Sequence, residues 1–247
     1  MGFLFRPKEL PRPASLTFTL DQAGHTYDDG HVGLAPTDIT ISELRVAVIG
    51  LNGAGKSTLL GLLDGSLKAN AGTVTIAGGE ERLDPAVKKD AKRIDNLVGK
   101  VRREEIPNSF YQAANISEAV SEALKKHKVP ESERHARIGN LFAHFDLAQV
   151  SKAKASELDS EKRHLLAIAA ALSFEPSAIV ADEPSKGLDE IGAAHVAKAL
   201  FSYNKQVIFA THDTDMIRRP EYAIDRVLVL DCLLYTSPSP RDYAASR

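Results

Sequence analysis

The chain has 247 residues, 43% of them hydrophobic, enough for one large domain with a sizeable core. Its 31 basic and 33 acidic residues give a formal net charge of −2, so no basic excess argues for a nucleic-acid partner. No apolar run approaches the roughly 18 residues of a transmembrane helix, no signal-peptide core opens the chain, and the single cysteine, Cys232, excludes an intrachain disulfide and a cysteine metal site.

Residues 1–14, with Pro7, Pro11 and Pro13, read as a loose leader. Ser15–Leu20 alternates apolar and polar residues with period two, the pattern of a half-buried strand. Tyr27 follows, then a short strand at Ile39–Ile41. The β-branched run Arg45–Ile49 reads as a buried strand that breaks at Gly50. From there Gly50-Leu51-Asn52-Gly53-Ala54-Gly55-Lys56-Ser57-Thr58 has the spacing G-x-x-x-x-G-K-S of a phosphate-binding loop. The spacing has a physical reason: consecutive backbone N–H groups must point inward around a phosphate, and glycine permits the dihedrals this needs. The helix that starts near Lys56 adds its positive end. In this reading Lys56 reaches the β- and γ-phosphates of a nucleoside triphosphate, and the Ser57 hydroxyl holds Mg²⁺. Gly50, Asn52, Gly53, Ala54, Gly55, Lys56, Ser57 and Thr58 are the candidate nucleotide-binding residues. Leu59, Leu60, Leu62 and Leu63 give the helix an apolar face, and Gly65 or Gly72 ends it. Thr73–Ala77 alternates again as a strand.

The segment 80–106 is strongly charged, and Ser117–Ala170 is helical in pattern, with breaks expected at Gly139 and at 151–156. A helix from about Ser160 carries Leu165, Leu166, Ile168, Ala169 and Leu172 on one face. Ala178–Ala181 is a buried strand that ends in Asp182-Glu183-Pro184, a helix spans Ile191–Phe201, and the strand Gln206–Ala210 ends in Thr211-His212-Asp213. Strands alternating with helices indicate a parallel sheet, whose carboxyl ends carry ligands. There Asp182 would hold Mg²⁺, Glu183 would act as general base on the attacking water, and His212 would sense the γ-phosphate. Arg226–Asp231 is a last strand that stops without a turn and return, so an edge strand is expected to be missing. Cys232–Asp242 resembles the translation of a transposon-type sequencing adapter, so the natural domain is read as 1–231 and 232–247 as a non-native tail.

The order of these parts resembles the ATPase subunits of ATP-binding-cassette (ABC) transporters over roughly residues 15–231. Gly50–Thr58 matches the Walker A loop, Ile179–Glu183 the Walker B strand, Ser185–Asp189 the D-loop and His212 the switch histidine, while Tyr27 falls where the family stacks an aromatic ring on adenine. Within the family, Val180–Pro184 and His164–Ala169 look like the energy-coupling-factor importers of vitamins and metals, the biotin importers of actinobacteria among them. The resemblance implies an α/β fold: a P-loop core with a mostly parallel sheet, an N-terminal antiparallel β subdomain, and an inserted helical subdomain at roughly 104–170. It implies ATP and Mg²⁺ as cofactors. It also implies a second ATPase subunit in a homo- or heterodimer, an integral membrane transport subunit, and a place on the inner face of the cell membrane.

Two departures stand out. The family's Leu-Ser-Gly-Gly-Gln signature closes on the γ-phosphate of the opposite subunit, but here the segment is Leu158-Asp159-Ser160-Glu161-Lys162. At about 4 Å and an effective dielectric near 20, each like-charge pair with the phosphate costs about 4 kcal/mol, roughly a thousandfold in affinity. Ser160 substitutes for the serine only after a one-residue shift, which leaves Glu161 in place. In the Q-loop, Arg103 stands where a glutamine is expected, and Gln112 comes nine positions later. These departures leave open a hydrolysis-poor partner or regulatory subunit of a heterodimer.

Overall fold

The structure is a computed structural model that describes residues 15–102 and 106–230 together with the backbone of 235–236. The leader, Arg103 and the rest of the tail lie outside the described residues. Two sheets carry the fold. The first is antiparallel, built from β1 (Thr17–Thr26), β2 (Val32–Ile41), β4 (Ala71–Gly78) and β5 (Glu81–Leu83) in the order β2-β1-β4-β5. The second takes β3 (Arg45–Gly50), β6 (Val98–Arg102), β7 (Ala178–Asp182), β8 (Gln206–Ala210), β9 (Arg226–Leu230) and β10 (Tyr235–Thr236) in the order β10-β9-β3-β8-β7-β6. Its strands β9, β3, β8, β7 and β6 pair in parallel.

The central strands read as unbroken apolar runs because helices or the other sheet cover both faces. Val46, Val48, Val180 and Ile208 pack with Phe18, Leu20, Val74 and Ile76 of the antiparallel sheet around the leucines of α1 (Lys56–Leu63). Ala47, Ile179, Ala181, Val207 and Phe209 face the opposite way. They join a second core with α4 (Ile116–Lys126), α5 (Glu131–His144), α6 (Ser160–Leu172) and α7 (Glu190–Phe201). Shorter helices α2 (Lys88–Leu97), α3 (Asn108–Gln112) and α8 (Thr214–Arg218) complete the chain. Helices α3 to α6 are inserted between β6 and β7, the inserted helical body that the sequence implied.

Several boundaries differ from the sequence reading. Strand β1 runs past Leu20 because its pairing with β2 shifts between Leu20 and Ala23, with Gln22 at φ 46°, and that bulge ends the clean alternation. Strand β6 was hidden in the charged segment: Lys100 and Arg102 sit on the sheet's edge and discharge onto Asp95 and Asp64. Gly139 does not break a helix but lies inside α5; the chain turns instead at Lys128 (φ 60°) with Pro130, and again after Asp146 (φ 54°). Of the two candidate stops for α1, the first holds: Asp64 caps it, and Gly65 turns at φ 71°. The edge of β9 expected to be open is paired over two residues, Tyr235 with Val229 and Thr236 with Leu228.

Candidate nucleotide-binding and active site

The loop after β3 and the carboxyl ends of β7 and β8 are brought side by side by the strand order β3-β8-β7. The ladder continues one step past the strands: Thr211 N donates to Val48 O at 3.1 Å, and Glu183 N to Ala210 O at 3.0 Å. These bonds fix where each loop leaves the sheet.

Backbone constraints shape the loop itself. A Cβ on Gly50 would lie 2.2 Å from Leu230 O, and one on Gly55 (φ 92°) would lie 2.5 Å from Gly33 O. Only glycine fits either place. Gly55 is also the N-cap of α1 and supplies no side-chain cap, so the first N–H groups of the helix remain available to an anion. The Lys56 side chain is buried, and its ammonium donates to Gly50 O at 2.8 Å and Leu51 O at 3.0 Å, which places a positive charge within the loop. Ser57 is exposed at the start of the helix. Thr58 is buried, with Oγ1 3.1 Å from the Tyr27 hydroxyl. Tyr27 arrives from the β1–β2 turn and keeps one part of its ring exposed, close over Gly33. His25 meets its ring edge-on at 4.6 Å.

The carboxylates behave differently from one another. Asp182 is 4% exposed, and its Oδ1 is buried without a hydrogen-bond partner among the described residues. A buried carboxylate oxygen left unpaired is costly and suits a hard cation, so Asp182 fits Mg²⁺, and the exposed Ser57 hydroxyl would be the other protein oxygen. Bound there, Mg²⁺ would supply charge neutralisation to the phosphates. Glu183 stands at φ 50°, a left-handed position that is strained for a side-chain-bearing residue. Its Oε2 accepts from His212 Nδ1 at 2.7 Å. The glutamate is buried and the histidine about two-thirds exposed, so the ring's Nε2 is left outside the pair.

The remaining predicted elements are placed as follows. Asp189, at the end of the D-loop segment, caps α7 by accepting from Gly192 N at 2.8 Å. Arg103 lies outside the described residues. Asp159 is the N-cap of α6: it accepts from Lys162 N at 2.8 Å and from the Lys162 ammonium at 2.5 Å. Those bonds to Lys162 hold the Asp159 carboxyl below the usual carboxylate range. In the sequence Asp159 reads only as a replacement for the signature serine; its role as a cap and its ion pair come from the fold. So does the contact of Glu161 with His195, which joins residues far apart in the chain.

A glycine loop around a lysine, an uncapped helix start and two strand-end carboxylates define a P-loop nucleoside triphosphatase. The model of the ABC transporter family matches residues 37–186. An ABC transporter ATP-binding protein of Deinococcus radiodurans is 34% identical over 86% of this chain and 88% of its own. The energy-coupling factor transporter ATP-binding protein EcfA of Methanocaldococcus jannaschii is 31% identical over 83% of this chain and 72% of its own. Among solved structures, cbiO1 of Clostridium perfringens, part of the ABC transporter complex cbiONQ, superposes with a TM-score of 0.73. It is 26% identical, covering 95% of this chain and 92% of that one. The chain belongs to the ABC transporter family, as an ATP-binding subunit that hydrolyses ATP.

Proposed function

We propose that this chain is the ATPase subunit of an energy-coupling importer that takes up a vitamin or a metal ion. The observation that carries the catalytic half is the Glu183–His212 pair beside a buried Asp182 oxygen with no partner among the described residues. The import half is supported by the relatives, an energy-coupling factor ATPase and cbiO1. In this reading Tyr27 stacks on the base, and Gly50 to Thr58 wrap the phosphates. Ser57 and Asp182 hold Mg²⁺. Glu183, steadied by His212 Nδ1, takes the proton of the attacking water, and His212 Nε2 meets the γ-phosphate. Two such subunits, alike or different, enclose the nucleotides and drive an integral membrane subunit from the inner face of the membrane. Among the described residues no helix is long and apolar enough to cross a membrane, which fits a subunit docked on such a partner. Residues 1–231 form the working domain, and the helices between about 104 and 170 its inserted subdomain.

The rival reading, a hydrolysis-poor member of a heterodimer, draws on Asp159 and Glu161 in the signature segment. The pairing of Asp159 with Lys162 and of Glu161 with His195 weakens that argument. The test is uptake into vesicles that hold this chain with energy-coupling membrane subunits. ATP-driven accumulation of a labelled vitamin or of nickel or cobalt, abolished by Glu183→Gln, is expected. Hydrolysis without any uptake would overturn the importer reading.

A further inference from the structure

The signature segment presents a puzzle of charge. The family places glycine where this chain has Glu161, at the start of a helix expected to meet a nucleotide phosphate. The structure pairs that carboxylate, in the first turn of α6, with a side chain of the neighbouring helix. Glu161 Oε1 lies 2.6 Å from His195 Nδ1 on α7. A carboxylate only accepts, so Nδ1 is the donor. The other carboxylate oxygen, Oε2, hangs over Gly192 and would touch a Cβ there at 3.4 Å, while Asp189 Oδ1 would touch it at 3.2 Å. Glu161 therefore lies against the first turn of α7, alongside Gly192. On the far side of the ring, His195 Nε2 is 3.5 Å from Asp146 Oδ2, in the turn after α5. Three elements, α5, α6 and α7, thus meet on one imidazole. The other acidic replacement, Asp159, is already bound by its own Lys162.

We infer that His195 is a positioning residue: by drawing Glu161 against α7 it keeps the Leu158–Lys162 segment able to receive a nucleotide phosphate. The inference rests on the proposed reading of two subunits enclosing ATP and deepens it. Replacing His195 with an apolar side chain leaves Glu161 unpaired at the helix start, where its charge opposes the phosphate.

The experiment uses the full chain carrying Glu183→Gln, so that bound ATP is not consumed. ATP-dependent dimerisation is followed by light scattering, and ADP binding to the same chain by calorimetry. His195→Leu is expected to raise the ATP concentration for half-maximal dimer about tenfold, the effect of one like charge brought near a phosphate in a partly screened site. ADP binding is expected to stay unchanged. Adding Glu161→Gly to His195→Leu is expected to restore the parent midpoint, because the offending charge is gone. Failure of that rescue, an equal loss of ADP binding, or no change in His195→Leu would overturn the inference. A parent that binds ATP but never dimerises overturns it while leaving the nucleotide site standing. A parent that binds no nucleotide overturns the proposed function itself. Thermal unfolding of each variant identifies one that fails to fold, and Glu161→Gln with native His195 then replaces it. Here the side chain keeps its place without its charge, and a dimer midpoint at or below the parent's is expected. A higher midpoint would overturn the inference.

Discussion

Asp182 makes a quantitative case for a site built at the expense of stability. Its carboxylate is 4% exposed, and Oδ1 has no partner among the described residues. A buried polar atom left unpaired costs about 1–3 kcal/mol, more when charged. Asp182→Asn keeps the shape and removes the charge while leaving a polar atom unpaired in the same place, so the nucleotide-free protein is expected to gain only the charge-dependent part of that cost, about 1 kcal/mol. For a domain of this size that is a rise of about 2–4 °C in Tm per kcal/mol. The native chain is expected to recover this on binding: Mg²⁺-ATP at about 100 times its Kd adds about 2.7 kcal/mol. The assay is thermal unfolding with no ligand, with ATP and EDTA, and with ATP and Mg²⁺. The native protein should show its large shift only with both ATP and Mg²⁺, and Asp182→Asn should start higher and lose the Mg²⁺-dependent part. A ligand-free variant less stable than the native protein, with its Mg²⁺ response intact, would refute the reasoning.

Three further outcomes are expected. Gly33→Ala places a Cβ 2.5 Å from Tyr27 Cε2 and 2.8 Å from Thr58 Oγ1, so it should displace the tyrosine ring and weaken ATP binding by about tenfold or more, measured by calorimetry, while the fold survives. Asp159 has a folded pKa below its unfolded value, so its cap contribution is present above the unfolded pKa of about 3.9 and is lost as pH falls through the lower folded value. Lys162→Ala should move the Asp159 titration, followed by carboxyl NMR, back up toward that value. Arg45, buried, donates to the carbonyls of Tyr203 and Lys205 and so ties the start of β3 to the chain between α7 and β8. Arg45→Ala should cost about 2–4 kcal/mol in urea unfolding, because those buried acceptors are left unpaired.

The candidate site was legible because its parts are local. A β-branched strand, a glycine loop and a leucine helix stand in one continuous stretch, and the strand ends at Asp182 and Ala210 are marked by abrupt changes from apolar to charged residues. What escaped the sequence was set by tertiary contact. The bulge at Gln22 erased the alternation of β1, and the edge strand β6 hid its two buried valines, Val98 and Val101, among charges. Most instructive is Glu161: a one-dimensional reading leaves its charge unpaired at the helix start, and only the fold reveals that His195 on α7 binds it.

The measurement that bears most directly on the account is a paired determination of ATP affinity and single-turnover hydrolysis for the native chain and Glu183→Gln. Removing a general base costs about 10²–10⁴-fold in rate. The account predicts a loss of that size in hydrolysis with ATP affinity retained within a few-fold. Hydrolysis that survives Glu183→Gln intact would contradict it.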